Sequence, residues 1–154
     1  MKKKPEFTIV IDSREQHPYE FNGAVVKALK SGDYSILSLE DRVSIERKTK
    51  EDAYSSLGAG RARFEKEIKR LSEYDYSAIV IESNLDDFLH APPFTEMNPK
   101  AAMNSLVSWS IKYKVFIFFA SDRLHAKALV YRILEKYYKH RGDNARQKRI
   151  MEKI

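Results

Sequence analysis

The chain of 154 residues contains no cysteine. That excludes disulfide cross-links, thiol nucleophiles, thiolate zinc sites and iron–sulfur clusters, and it fits a reducing, cytoplasmic setting. Glycine and proline are scarce, at five each, so a long flexible linker is not expected. Apolar runs reach only strand length, which leaves no segment to span a bilayer and no membrane partner. The basic stretch Met1–Lys4 runs into Pro5-Glu6 rather than an apolar segment, so no secretory leader is expected. Four histidines, His17, His90, His125 and His140, lack the His-x-His or His-Glu-x-x-His spacing of a zinc site. No Gly-Lys-Ser/Thr follows Gly58-Ala-Gly60, which argues against NTP hydrolysis. Ser13, Ser55 and Ser56 sit in no nucleophile-elbow context.

Enough remains for a real core: hydrophobic residues make up 43%, with eight Phe and nine Tyr. The length favours one compact domain. Formal charge is +6, from 28 Lys and Arg against 22 Asp and Glu, a balance that suits a polyanionic partner. Much of the excess gathers at the end, in Lys136, Lys139, Arg141, Arg146, Lys148, Arg149 and Lys153. This is read either as a solvated helix end or as a phosphate-contacting arm. The expected organisation is a domain over 1–140 and a basic extension over 141–154.

Residues 7–11 (Phe-Thr-Ile-Val-Ile) are apolar and rich in β-branching, a buried strand ending at Asp12. Pro18 and Asn22-Gly23 mark a turn. Residues 24–29, 34–39 and 42–48 follow as strands, the last two joined by a hairpin at Glu40-Asp41. A strand meander is therefore expected for the first third. Phe64, Ile68 and Leu71 then recur at helical spacing, with the helix starting after Gly58-Ala-Gly60. Residues 77–81 read as a buried strand. Asn98-Pro99 opens a helix bearing Ala102, Leu106 and Trp109. Residues 115–119 form a strand, and Asp122 caps a last helix through about Tyr138. The fold class is a single α/β domain, a mixed central sheet flanked by helices.

Unusual chemistry concentrates between Asp12 and Asp52. Along a strand, residues i and i+2 share a face, so Glu46 and Lys48 project together with Arg47 opposite. A hairpin around Glu40-Asp41 brings Asp33 to the Lys48 end of the next strand, and Asp12 ends a neighbouring strand. Carboxylates so gathered repel one another unless a cation sits among them. Mg²⁺, a hard ion taking one or two carboxylates with waters and phosphate oxygens, is the natural candidate. Lys48 beside it would orient or activate a water, and the expected reaction is phosphodiester hydrolysis. Taken singly, such charges at strand ends are more often surface ion pairs of little consequence; the set together carries the reading.

Ile11-Asp12-Ser13-Arg14-Glu15, Gly32-Asp33-Tyr34 and Glu46-Arg47-Lys48-x-x-x-Asp52 closely resemble the nuclease domain of the XPF family of structure-specific endonucleases. The family pattern is V-D-x-R-E, G-D, then E-R-K-x-x-x-D, and Ile11 in place of Val is the one departure. The likeness continues through Arg63-Phe64 and the strand from Ala78 to Glu82. It implies the restriction-endonuclease-like PD-(D/E)xK fold and a DNA endonuclease using Mg²⁺, with Mn²⁺ able to substitute. It further implies a metal held by Asp12, Asp33 and Glu46, with Lys48 as catalytic lysine. Glu15 and Asp52 occupy acidic positions that are part of the site or support it. Arg14 and Arg47 hold the carboxylates in place or contact phosphate.

Arg61 and Arg63, beside the two glycines, are expected at the DNA backbone. Family nuclease domains commonly pair, so Trp109, Tyr113, Phe116, Phe118 and Phe119 are read as core or as a homodimer surface. With no room seen for the family's helix–hairpin–helix modules, the chain is expected to resemble the compact stand-alone members of bacteria and phages. A catalytically silent DNA-binding or dimer-scaffolding module is the alternative, and action on RNA a third.

Overall fold

A computed structural model describes residues 6–152, with side chains through position 142. Met1–Lys4 and the side chains of Arg146, Lys148, Arg149 and Lys153 lie outside the described residues.

Six strands form one mixed sheet: β1 (Ile9–Asp12), β2 (Val25–Lys27), β3 (Tyr34–Ile36), β4 (Val43–Thr49), β5 (Tyr76–Glu82) and β6 (Phe116–Phe119), in the order β2-β1-β3-β4-β5-β6. The helices are α1 (Lys50–Leu57), α2 (Arg61–Leu71), the single-turn α3 (Leu85–Phe88), α4 (Pro99–Tyr113) and α5 (Arg123–Glu152). Alternate residues of the central strands feed two separate cores. Ile9, Ile11, Tyr34, Ile45, Ala78 and Val80 pack with Val130, Ile133 and Leu134 of α5. Ile79 and Ile81 pack on the other face with Tyr54 of α1, Phe64 and Ile68 of α2, and Leu106 and Trp109 of α4. Each large apolar side chain so buried contributes about 1.5–3 kcal/mol before the entropy of ordering it. Among the described residues no helix is long and apolar enough to cross a membrane.

The expected meander is corrected at one strand. β2 does not lie between β1 and β3; it runs parallel to β1 at the sheet's edge, and β3 pairs antiparallel with β1 directly. Burial explains the choice. β3 is buried at every position and takes the inner place, whereas Val26 and Lys27 of β2 are exposed. The connection over residues 13–24 is tied down by Tyr19, whose ring stacks on Tyr34 at 5.3 Å and whose N–H donates to the Tyr34 hydroxyl. The β3–β4 hairpin forms as expected, with Tyr34 opposite Ile45. The helix expected after Gly58-Ala-Gly60 is α2, which starts at Arg61; α1, capped by the Thr49 side chain, is an additional helix before the glycines, and α5 continues past Tyr138 to Glu152.

Because β1, β4 and β5 point one way and β3 the other, the last residues of β1, β4 and β5 meet the residue preceding β3 at one end of the sheet. Asp12, Asp33, Glu46, Lys48 and Glu82 all belong to that end.

Candidate active site

Asp33 is placed by its glycine. Gly32 has φ +80, and a Cβ there would lie 1.9 Å from Ser44 Oγ, so only glycine permits both the left-handed backbone and the approach. The backbone of Asp33 then donates to Ile45 O at 2.8 Å, and its Oδ2 accepts the Arg47 N–H at 2.8 Å. Glu46 is buried, and Lys48 Nζ stands 3.8 Å from its Oε1 while lying 4.8 Å over the Phe64 ring. Glu46 and Lys48 thus share the face covered by α2, as period-2 spacing requires.

Burial pushes the Asp33 carboxyl up to about 6, against the Arg47 hydrogen bond, with the Glu15 charge adding to the rise. The Glu46 carboxyl is raised well above the ordinary range, first by burial, then by the Asp33 charge and by a hydrogen bond with Glu67. These are acids that resist a second negative charge beside them. A hard divalent cation between them reverses the cost, so the donor set of Asp33 and Glu46 fits such an ion.

Asp12 is turned to another task. Its Oδ2 accepts Arg14 Nε at 3.0 Å and its Oδ1 accepts the Leu29 N–H at 2.9 Å, while its backbone N–H donates to Asp33 O at 2.8 Å. The expected three-carboxylate set Asp12, Asp33 and Glu46 is therefore not closed: among the described residues no group of three or more His, Cys, Asp or Glu is disposed to hold one ion. Arg14 also donates to Leu29 O at 2.6 Å and is otherwise open to solvent.

Arg47 points away from Glu46, as expected. It is half-buried and paired with Glu82 and, more loosely, with Glu15. Asp52 lies exposed in the first turn of α1, its N–H donating to the cap Thr49, a favourable place for a negative charge at a helix start. Arg61 is held against α4: its guanidinium lies 4.6 Å over the Trp109 ring and donates to Ser105 Oγ at 3.0 Å. Arg63 is exposed on α2, one helical turn before Glu67.

Three participants escaped sequence reasoning. Glu67 follows three residues after Phe64, at the margin of the apolar stripe, and its spacing alone was the available signal. Glu82 ends an apolar strand without a motif of its own. Tyr19 follows Pro18 in a segment read only as a turn.

A family model for the ERCC4 domain matches residues 11–133. Among solved structures, the chain is similar to XPF from Aeropyrum pernix, with 24% identity, a TM-score of 0.65, and coverage of 85% of this chain and 61% of that one. It is also similar to XPF from Aeropyrum pernix in complex with DNA, with 22% identity, a TM-score of 0.67, and coverage of 86% and 65%. The chain spans less than two thirds of the length of either, and at these identities the likeness is one of fold. No curated protein matches the sequence.

Proposed function

We propose that this chain, which belongs to the ERCC4 domain family, is a divalent-metal-dependent endonuclease that hydrolyses DNA phosphodiester bonds. The fold is ERCC4/restriction-endonuclease-like, a single α/β domain with a mixed sheet between helices. One observation carries the activity: half-buried Asp33 beside buried Glu46, with Lys48 3.8 Å from Glu46, at a sheet end where strands of opposite direction meet. Asp33 and Glu46 would hold Mg²⁺ or Mn²⁺, which when bound polarises the phosphodiester and makes water a stronger nucleophile. Lys48 Nζ, with three donors and a position fixed over Phe64, orients the attacking water and offsets charge gathering on the phosphate. Asp12 holds Arg14, whose open guanidinium faces the same site and takes a phosphate oxygen. Arg63 contacts the DNA backbone beyond it.

A homodimer through β6 is part of this reading. The strand Phe-Ile-Phe-Phe forms an open sheet edge with neither charge nor proline to blunt it. Phe116 is 54% exposed, Ile111 on α4 73%, and a groove of about 390 Å³ adjoins Phe116, its apolar wall made by Tyr76, Leu129, Ile133 and Tyr137 and its basic wall by Arg132, Lys136 and His140. The alternative, a catalytically silent DNA-binding module, draws on the unclosed three-carboxylate set.

Incubation of the purified protein with linear, flapped and branched DNA, in Mg²⁺, Mn²⁺ or EDTA, separates these readings. Metal-dependent cutting that is lost in Asp33→Ala and Lys48→Ala is expected. A wild type that cuts nothing under either metal, or variants that cut as well as wild type, would overturn the active-site assignment. Binding without cutting favours the silent module.

A further inference from the structure

Behind the Asp33–Glu46 pair, on the opposite face of β4, lies a largely buried group of charges that the proposed chemistry does not use. Glu82 Oε1 accepts from Arg47 Nε at 3.1 Å and Nη2 at 2.7 Å, and Oε2 accepts from the Tyr19 hydroxyl at 3.0 Å. Arg47 Nη1 reaches Glu15 Oε1 at 3.5 Å, and its guanidinium lies 5.3 Å from the centre of the Tyr19 ring. The side chains of Arg47, Glu15 and Glu82 are 11%, 10% and 7% exposed. Two carboxylates therefore face one guanidinium, and Glu15 Oε2 is buried with no hydrogen-bond partner among the described residues.

As a source of stability this is a poor arrangement. Buried ion pairs are commonly matched or bettered by apolar side chains of the same volume, and an unpartnered buried oxygen carries its full desolvation cost. Its value is positional. The backbone N–H of Arg47 is the donor to Asp33 Oδ2 at 2.8 Å, so the rigidity of Arg47 is transmitted to that carboxylate. Glu15 adjoins Arg14, which grips Asp12. Glu82 is thus tied to both acids of the β1 and β3 ends while touching neither.

We propose that Glu82 is a positioning residue of the active site: by fixing the Arg47 side chain it sets the Asp33 carboxylate through the Arg47 amide and the Arg14 clamp through Glu15. The proposal rests on the nuclease reading above for its kinetic readout, and on the ground-state geometry of Asp33 for an independent one.

The test uses the full chain carrying Glu82→Gln, which keeps size and removes charge, and Tyr19→Phe, which removes a single hydrogen bond to Glu82. Glu82→Gln is expected to lower kcat about tenfold or more with KM for DNA unchanged, and Tyr19→Phe to cause a smaller loss of the same kind. In an Arg47→Met background, Glu82→Gln should cost nothing further. Independently of cutting, the Asp33 carboxyl ¹³C and Arg47 amide resonances, recorded in EDTA, should move in both variants. Unchanged kcat with only a lower Tm, full loss again in the Arg47→Met background, or unmoved Asp33 and Arg47 resonances would each overturn the proposal. If Glu82→Gln does not fold, Tyr19→Phe decides the matter by the same two readouts. If the wild type cuts no DNA, the nuclease reading falls, and the resonances still decide whether Glu82 positions Asp33.

Discussion

Replacing Asp33 with asparagine is expected to stabilise the metal-free protein at neutral pH, the reverse of the usual result for a hydrogen-bonded acid. Asparagine keeps a side-chain oxygen to accept the Arg47 N–H that Asp33 now accepts at 2.8 Å. What it removes is the ionisation. Burial lifts the Asp33 carboxyl from 3.8 to about 6. In the unfolded chain the group loses its proton near 3.8, while the folded protein holds it until about 6. Across that window the native state binds more protons, so stability falls as pH rises and the full loss is reached above it. The difference corresponds to about 3 kcal/mol at slightly alkaline pH, with the Glu46 carboxyl relieved in the same direction once its charged neighbour is gone.

Urea titrations in EDTA, repeated from about pH 4 to about pH 8, measure this directly. The stability of Asp33→Asn minus that of wild type should be close to zero at the acid end and rise to about 3 kcal/mol at the alkaline end. A variant less stable than wild type at the alkaline end, or a difference that does not change with pH, would refute the placement of Asp33 in a desolvated, anion-crowded pocket. Mg²⁺ should narrow the gap at the alkaline end by stabilising wild type alone.

Other perturbations probe neighbouring parts of the molecule. Gly32→Ala should cost more than about 2 kcal/mol in urea unfolding, from its positive φ and the Cβ at 1.9 Å from Ser44 Oγ; adding Ser44→Ala should restore only part. Arg63→Ala should weaken DNA binding and reduce the slope of log affinity against log salt by about one phosphate contact. Arg61→Ala should leave that slope unchanged and instead lose about 0.5–1 kcal/mol of stability from the Trp109 contact. Phe116→Glu should shift the protein to a monomer in light scattering of gel-filtered samples, whereas an unchanged mass would remove β6 as the pairing edge.

The site end of the sheet was legible where the period of the chain decides geometry. Glu46 and Lys48 fall on one face and Arg47 on the other because strand side chains alternate; the left-handed backbone of Gly32 against Ser44 came only with the fold. The direction of β2 was not legible: three residues pair equally well either way, and burial of β3 settled the matter through contacts distant in sequence. Helix α1 was obscured because Lys50–Leu57 has three charges and two serines, although Ala53, Tyr54 and Leu57 form a buried strip and Thr49 caps it. Glu67 was hidden for a related reason. A charged residue beside an apolar stripe reads as solvent-facing until the opposing strand is known to end in acids. The different placement of the arginines required the fold as well, since nothing in Arg61 or Arg63 tells which one has Trp109 beneath it.

The two-faced strand β4 also bears on how the sequence tolerates change in length. Val43–Thr49 pairs residue for residue with Tyr76–Glu82, and a shift of one position would exchange its two sets of side chains. Glu46 and Lys48 would be driven among the charges around Glu82, and Arg47 into the pocket of Asp33. In a scan of single-residue insertions and deletions, this strand should accept none, while the exposed turn near Leu37, Ser38 and Asp41 accepts several. Drift in the length of this domain is thereby confined to its loops, and the spacing between Glu46 and Lys48 stays fixed even as the residues around it change.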